Sequence, residues 1–103
     1  MIDELIKFAR AHHPGFKDMP DKTLRALFET YRKTTLVWRE NGTIHGFAIY
    51  QEWPDRLNVI CIAGIGGRTE NLKAILRGRK QLPRKTICWY DEDSMELKIL
   101  CRH

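Results

Sequence analysis

The chain has 103 residues, of which 43% are hydrophobic and 30% are charged. A chain of this length supports one core, so we expect residues 1–103 to form a single domain and not a multidomain enzyme. No apolar run approaches the roughly 18 residues of a membrane span. Asp3 and Glu4 interrupt the apolar pattern at the N-terminus, which is not typical of a signal peptide. We therefore expect an intracellular, cytoplasmic protein.

The positive charge of the sequence is concentrated in one segment. The 18 Lys and Arg residues outnumber the 13 Asp and Glu residues, which gives a net charge of +5. Residues 68–85 hold seven basic residues and a single acidic one, Glu70, so this segment carries +6 and the rest of the chain −1. Such a distribution favours a local anionic partner. A phosphate-bearing cofactor, a nucleic acid or an acidic protein would satisfy it.

The three cysteines have no C-x-x-C spacing, and their odd number disfavours a disulfide framework. Cys61, Cys88 and Cys101 lie in apolar, strand-like surroundings, so we expect them to be reduced core thiols. Burial would raise the pKa of Cys61 and leave it inert as a nucleophile.

The histidines do not predict a metal site. His12, His13 and His45 lack the close ligand spacing of a zinc site, so we expect no bound metal. His13 stands at a predicted helix end, where a protonated imidazole would complement the helix dipole.

Two helices are predicted in the first third of the chain. Ile2, Leu5, Ile6 and Ala9 recur at the spacing of one helical face, which predicts a helix over residues 2–12. A second helix is predicted from the Asp18 to Asp21 segment to about Lys33, because that segment offers a cap and a first-turn proline.

Strands follow from residue 34. Alternating residues over 34–40, the dipeptide Asn41-Gly42 and residues 43–52 predict an antiparallel hairpin with a type I′ turn. The nearly continuous apolar run at 57–63 predicts a central strand that is covered on both faces.

A third helix is predicted over residues 69–77, capped by Thr69 and closed by Gly78. Strands at 85–90 and 95–101 complete the order ααβββαββ, and the helical crossover makes strands 57–63 and 85–90 parallel. We therefore expect an α/β or α+β fold with three helices and a mixed, mostly antiparallel five-strand sheet.

This element order, together with the hairpin segment WRENGTIHGFA at residues 38–48, resembles the GNAT N-acetyltransferase superfamily, especially its small, trimmed, phage-encoded members. The resemblance implies that acetyl-CoA lies in a splay between the central strand and the next parallel strand. Its pyrophosphate would meet backbone amides at the start of the following helix, where the helix dipole favours an anion. The matching cofactor-binding residues here are Ile65, Gly66, Gly67, Arg68 and Thr69. The sequence departs from the family pattern at Cys61, where Gln or Arg belongs.

The catalytic residues are less defined. The family usually places a helix with a general-acid tyrosine after the strand that corresponds to residues 85–90, and here only the turn 91–94 stands there. Acetyl transfer to an amine needs a base and a proton donor. The candidates are Glu52, Tyr50 and Tyr90, followed by His45 and Glu40. Each of them is also compatible with an ordinary solvated or rim position on a strand.

Two functions remain open at the sequence level. The first is an acetyl-CoA-dependent N-acetyltransferase that acts on an amine, with the basic charge beside the glycine turn. The second is a catalytically lapsed module, of the phage accessory or inhibitor type, whose segment 68–85 docks on a nucleic acid or an acidic protein. Cations at a helix C-terminus are also favourable without any ligand. The residues of this anion-binding candidate are Arg77, Arg79, Lys80, Arg84 and Lys85.

Overall fold

The computed structural model describes residues 1–102 and has the predicted α+β class and the order ααβββαββ. The helices are α1 (Ile2–His12), α2 (Asp21–Thr30) and α3 (Gly67–Arg77). The strands are β1 (Thr35–Glu40), β2 (Thr43–Glu52), β3 (Arg56–Gly64), β4 (Thr86–Asp91) and β5 (Glu96–Cys101).

The five strands form one mixed sheet in the order β1-β2-β3-β4-β5. Only β3 and β4 are parallel, since α3 carries the chain back to the starting edge between them. The other pairs are antiparallel. Asn41 and Gly42 have φ angles of 52° and 79°, the left-handed values that the type I′ turn between β1 and β2 requires. The predicted hairpin and the parallel crossover are therefore confirmed.

Two helix boundaries differ from the prediction. α2 ends at Thr30, before Lys33, and the hydroxyl of Thr35 donates to the carbonyl oxygen of Tyr31 at 2.7 Å, where an extended helix would place a backbone N–H. α3 begins at Gly67, so Thr69 lies inside the helix and does not cap it.

Each face of the sheet carries its own core cluster. On one face, Phe47 of β2 is fully buried and meets the rings of Phe8 and Phe28 edge-on, at centroid distances of 6.2 and 5.4 Å. On the other face, Ile75 of α3 packs with Leu57 of β3 and with residues from β2 and β4.

The two helical layers cover different parts of the sheet. The cluster beneath α1 and α2 draws its strand residues from β1, β2 and β3 and includes none from β4 or β5. Coverage of the central strand on both faces is therefore incomplete, because Ile60 of β3 is 47% exposed. In the part of the chain that the structure describes, no helix has the length and apolar character needed to cross a bilayer.

The packing of α3 against the sheet gives a matched test of stability. Ile75 is 1% exposed and Ile65 is 47% exposed. Ile75→Ala should lower the free energy of unfolding by about 2–5 kcal/mol, because it removes buried methyl groups and leaves a cavity. Ile65→Ala should change it by no more than about 0.5 kcal/mol. Urea unfolding followed by circular dichroism measures both, and equal effects would contradict this packing.

Candidate functional site: a cleft between two parallel strands

β3 and β4 separate part-way along their length. Their parallel pairing ends at Val59 and Trp89, although β3 continues to Gly64. The register between β2 and β3 shifts at the same level, so that Ile60 is an extra residue in β3, a β-bulge. A bulge bends its strand and interrupts its ladder. Residues 60–64 of β3 consequently have no strand partner on the side of β4.

A cleft of about 620 Å³ lies where the two strands separate. The cleft is reached by residues of both faces of the sheet, because Val59 in its wall belongs to the cluster beneath α3 and Cys61 packs against the cluster beneath α1 and α2. Its lining includes Asn58, Ile60, Arg68, Asn71, Trp89 and Tyr90.

The glycine turn before α3 leads directly to Arg68, which lines this cleft. The backbone N–H of Ile65 donates to the carbonyl oxygen of His45 at 2.9 Å, which ties the turn to β2. Gly66 and Gly67 have φ angles of +101° and +85°, values that favour glycine. Gly66 is the N-cap of α3, and no side chain caps this helix start. Its first amides are therefore the kind of group that binds an anion.

Arg68 bridges α3 and the turn after β4. Its guanidinium donates to Asp91 at 2.8 Å and also to Asp93, and it lies 5.9 Å from the centroid of the Trp89 ring. The hydrogen bond to Asp93 is the main reason that the pKa of Arg68 is raised. The Arg68 charge is thus already compensated by carboxylates in this structure.

Asp91 is the buried anchor of that bridge. Its side chain is 7% exposed and accepts from Arg68 and, at 2.7 Å, from the ammonium of Lys98. The hydrogen bond from Lys98 holds the pKa of Asp91 below its usual value. The acidic turn after β4 is therefore more than a polar hairpin tip, since one of its carboxylates joins α3, β4 and β5.

Two asparagine side chains in the cleft wall were not predicted as site residues. The Oδ1 atoms of Asn58 and Asn71 are buried and have no hydrogen-bond partner within residues 1–102. Asn71 approaches the backbone of β3 so closely that a Cβ atom at Gly64 would lie 2.2 Å from its Oδ1. A buried acceptor without a donor is costly. The sequence signal was present: Asn58 interrupts an apolar strand, and Asn71 lies on the sheet-facing side of α3.

The structure separates the three catalytic candidates. Tyr90 lines the cleft, is half-exposed, and has its hydroxyl 3.5 Å from Met95 Sδ. Tyr50 is buried in the core beneath α3, and burial raises its pKa. Glu52 pairs with the first part of β3, at the opposite end of the sheet, and forms an ion pair with Lys85 at 2.7 Å. Only Tyr90 therefore shares the cleft with Arg68, which is the one residue of the predicted cofactor-binding segment 65–69 that lines it.

His13 lines the cleft, whereas His45 is not part of its lining. His45 Nδ1 is 3.1 Å from a Glu40 carboxylate oxygen, across the first hairpin. His13 Nδ1 accepts a hydrogen bond from the Gly15 N–H at 3.1 Å, and burial lowers the pKa of His13. The expectation of a protonated cap at His13 is therefore wrong. Within residues 1–102, no three His, Cys, Asp or Glu side chains come together in a way that could hold a metal ion.

The expectation of core thiols is confirmed for Cys88, which is buried, whereas Cys61 and Cys101 are only half-buried. All three cysteines are free thiols. Burial raises the pKa of Cys61 to about 11, so the thiolate is scarce near neutral pH.

The basic segment lies at the other end of α3. Arg68 is its only basic residue at the glycine turn, and the helix of 11 residues spans roughly 16 Å. The expectation that the excess charge sits beside the glycine turn is wrong, because most of it follows the C-terminus of α3. A groove of about 480 Å³ lies there, between that loop, the start of β4 and the end of β5. The cations that line it are Arg79, Lys80, Arg84, Lys85 and Arg102.

Most cations of this groove have no acidic partner. Lys85 is paired with Glu52 and also donates to the carbonyl oxygen of Trp53 at 2.9 Å. For Arg79, Lys80, Arg84 and Arg102, no Asp or Glu among the described residues lies within 4.0 Å. Arg77, which is not part of the groove lining, is likewise without one.

Comparison with protein-family models and with curated proteins finds no match to this chain. Two concave sites of the molecule are the candidates for its function. The cleft lies where β3 and β4 separate, and the basic groove lies at the opposite end of α3.

The Asp91 bridge generates a pH-dependent prediction. The pKa of Asp91 is lowered in the folded state, so its stabilisation is present above the unfolded value of about 3.9 and is lost as the pH falls through the folded value. Asp91→Asn should therefore be less stable than the parent protein at pH 7, and the difference should shrink below about pH 4. Denaturant unfolding across pH measures this. Asp18→Asn, an exposed carboxylate outside the bridge, is the control and should show no such difference.

Proposed function

We propose that the protein binds acetyl-CoA in the cleft between β3 and β4 and transfers the acetyl group to an amine, as its resemblance to the GNAT superfamily implies. The observation that carries this proposal is the bulge at Ile60. It ends the pairing of the only parallel strand pair and opens a cleft next to an uncapped helix start.

The residues around the cleft fit such a cofactor. The free edge of β3 at residues 60–64 offers backbone donors and acceptors to an extended, amide-containing arm. The amides at Gly66 and Gly67 suit a pyrophosphate. When bound, the cofactor supplies an acetyl group that is activated as a thioester.

Arg68 is compatible with this arrangement despite its present partners. Its contact with Asp93 is an exposed ion pair, which contributes little stability in water. A phosphate at the glycine turn can take the place of that carboxylate, while the pair with the buried Asp91 keeps the guanidinium beside α3.

The opposite rim of the cleft suits an amine. Glu92 and Asp93 line it, so the local charge attracts an ammonium group. We assign the Glu92 carboxylate as the base that takes the proton from the ammonium before the amine attacks, and the Tyr90 hydroxyl as the proton donor to the leaving thiolate, because both groups line the same cleft. We assign no catalytic role to Tyr50, which is buried in the core, or to Glu52, which lies at the other end of the sheet.

Two glycines provide a matched test of cofactor binding. Gly67 and Gly42 have φ angles of +85° and +79°, and a Cβ atom at either position would meet nothing within 4 Å. Gly67→Asp should weaken acetyl-CoA binding by about tenfold or more, since it sets a carboxylate at the helix start. Gly42→Asp carries similar backbone strain outside the cleft and should bind as the parent does.

Isothermal titration with acetyl-CoA measures all three proteins. The absence of heat and of a thermal shift at millimolar acetyl-CoA would reject the function, whereas equal affinity in the two variants would reject the glycine turn as the binding site.

A second candidate function rests on the basic groove. Four of its cations have no acidic partner in residues 1–102, and they line a concave surface instead of being scattered. Such a surface fits the phosphates of a nucleic acid. In this proposal the protein is a catalytically lapsed binding module of the phage accessory or inhibitor type, and an acidic protein is the competing partner.

The salt dependence of binding tests this groove. Affinity for duplex DNA should fall steeply with salt, and the combined variant Arg79→Ala, Lys80→Ala, Arg84→Ala should flatten the logarithmic slope by about 2.7. The combined variant Lys22→Ala, Arg32→Ala, Lys33→Ala removes the same charge from another region and should leave the slope near that of the parent. Fluorescence anisotropy measures both. Absent or salt-independent binding would reject a nucleic acid and leave an acidic protein.

A further inference from the structure

The cations after α3 border more than one concave surface. Besides the basic groove, a shallow hollow of about 400 Å³ lies at the C-terminal end of α3 and is lined by Leu76, Arg77, Arg79 and Lys80. A further groove of about 270 Å³ lies between α3 and the edge strand β1. We call it the side groove, and its lining includes Trp38, Arg39, Arg77 and Gln81.

These three surfaces form one continuous track. Arg77 borders both the side groove and the hollow, and Arg79 and Lys80 border both the hollow and the basic groove. The track passes around the C-terminus of α3, from β5 at one edge of the sheet to β1 at the other. These edges are four strand spacings apart, which is roughly 19 Å. A track of this length fits a chain of several phosphates better than one small anion.

The cations along the track can bind phosphates without losing an acidic partner. Arg77, like the four unpaired cations of the basic groove, has no Asp or Glu within 4.0 Å among residues 1–102. Arg39 pairs with Glu4 at 3.1 Å, so Arg77 is the cation of the side groove that is available to a phosphate. Each such cation can take the place of a counterion on a polyanion.

The track also offers surfaces that suit bases. Trp38 is half-buried and lines the side groove. Its ring lies against the backbone of β2, where a Cβ atom at Gly46 would come within 2.3 Å of it. In the basic groove, Leu82, Pro83 and Ile87 lie beside the cations. Unpaired bases stack on aromatic rings, whereas the bases of a duplex are already stacked on one another.

We propose that the track binds single-stranded nucleic acid, with its phosphates on the cations around the C-terminus of α3 and one base stacked on Trp38. This inference rests on the second candidate function and narrows it, because a base that is paired within a duplex cannot reach a half-buried ring between α3 and β1. A duplex would contact the basic groove through its phosphates alone.

The form of the nucleic acid tests the proposal directly. Fluorescence anisotropy compares a labelled oligothymidylate of about 12 nucleotides with the same strand annealed to its complement. The parent protein should bind the single strand about tenfold or more tightly than the duplex. Trp38→Leu should weaken single-strand binding by about fivefold or more, because it removes the stacking ring, and should leave duplex binding unchanged. Trp38→Phe keeps an aromatic ring and should lose less affinity than Trp38→Leu.

Arg77 allows a test that leaves the sheet intact, since it is exposed and lies outside the basic groove. Arg77→Ala should reduce the logarithmic salt slope for the single strand by about 0.7 and leave the slope for the duplex unchanged. Lys22→Ala removes the same charge from α2, on the other face of the sheet, and should change neither slope. Circular dichroism reports whether each variant is folded.

The outcomes separate this inference from the function on which it rests. A parent protein that binds the duplex as tightly as the single strand would overturn the inference and leave the second candidate function standing. So would a folded Trp38→Leu variant that binds the single strand as the parent does. If Trp38→Leu does not fold, an unchanged single-strand slope in Arg77→Ala decides against the inference in its place. Binding to neither form would reject both the inference and the nucleic-acid function.

Discussion

The bulge at Ile60 is the local feature on which the rest of the site depends. A continuous parallel pair in the same register would have joined β3 to the end of β4, with Asp91 level with Cys61, and narrowed the space between the strands. With one extra residue in β3, the ladder with β2 continues while the ladder with β4 ends. The cost is a set of unpaired backbone groups on β3, which are tolerable because the cleft beside them is open to water or ligand. Ile60 itself is left half-exposed.

The ion pair between Arg68 and Asp91 stabilises the opening between β3 and β4. The buried carboxylate at the end of β4 holds Arg68 from α3 on one side and Lys98 from β5 on the other. The elements around the cleft are thus joined by charge-assisted hydrogen bonds at the level where the strand pairing is absent. A buried carboxylate without such partners would be costly. The ion pairs of Asp91 therefore make the start of the turn after β4 a structural element and not only a solvated connection.

Much of the fold could be predicted from the sequence, because its signals are local. Asn41-Gly42 and the change from helical to alternating period specify the hairpin and the element order. The bulge could not be predicted from the sequence. Ile60 stands within a continuous apolar run, where an extra residue does not interrupt any alternation of apolar and polar residues. The sequence also does not show which of the catalytic candidates lie close together in the fold. In the sequence, Glu52 and Tyr90 both stand near the end of a predicted strand. Because β2 and β4 run in opposite directions, Glu52 lies at one end of the sheet and Tyr90 lies at the cleft.

The arrangement of charge in the molecule follows the direction of α3. Its N-terminus faces the acidic turn after β4, and its C-terminus leads into the basic groove, so both groups complement the helix dipole. β5 runs from the acidic turn toward that groove, as Glu96 and Arg102 show. The two concave sites are therefore distinguished by the charge at each end of α3, and not by the net charge of the chain.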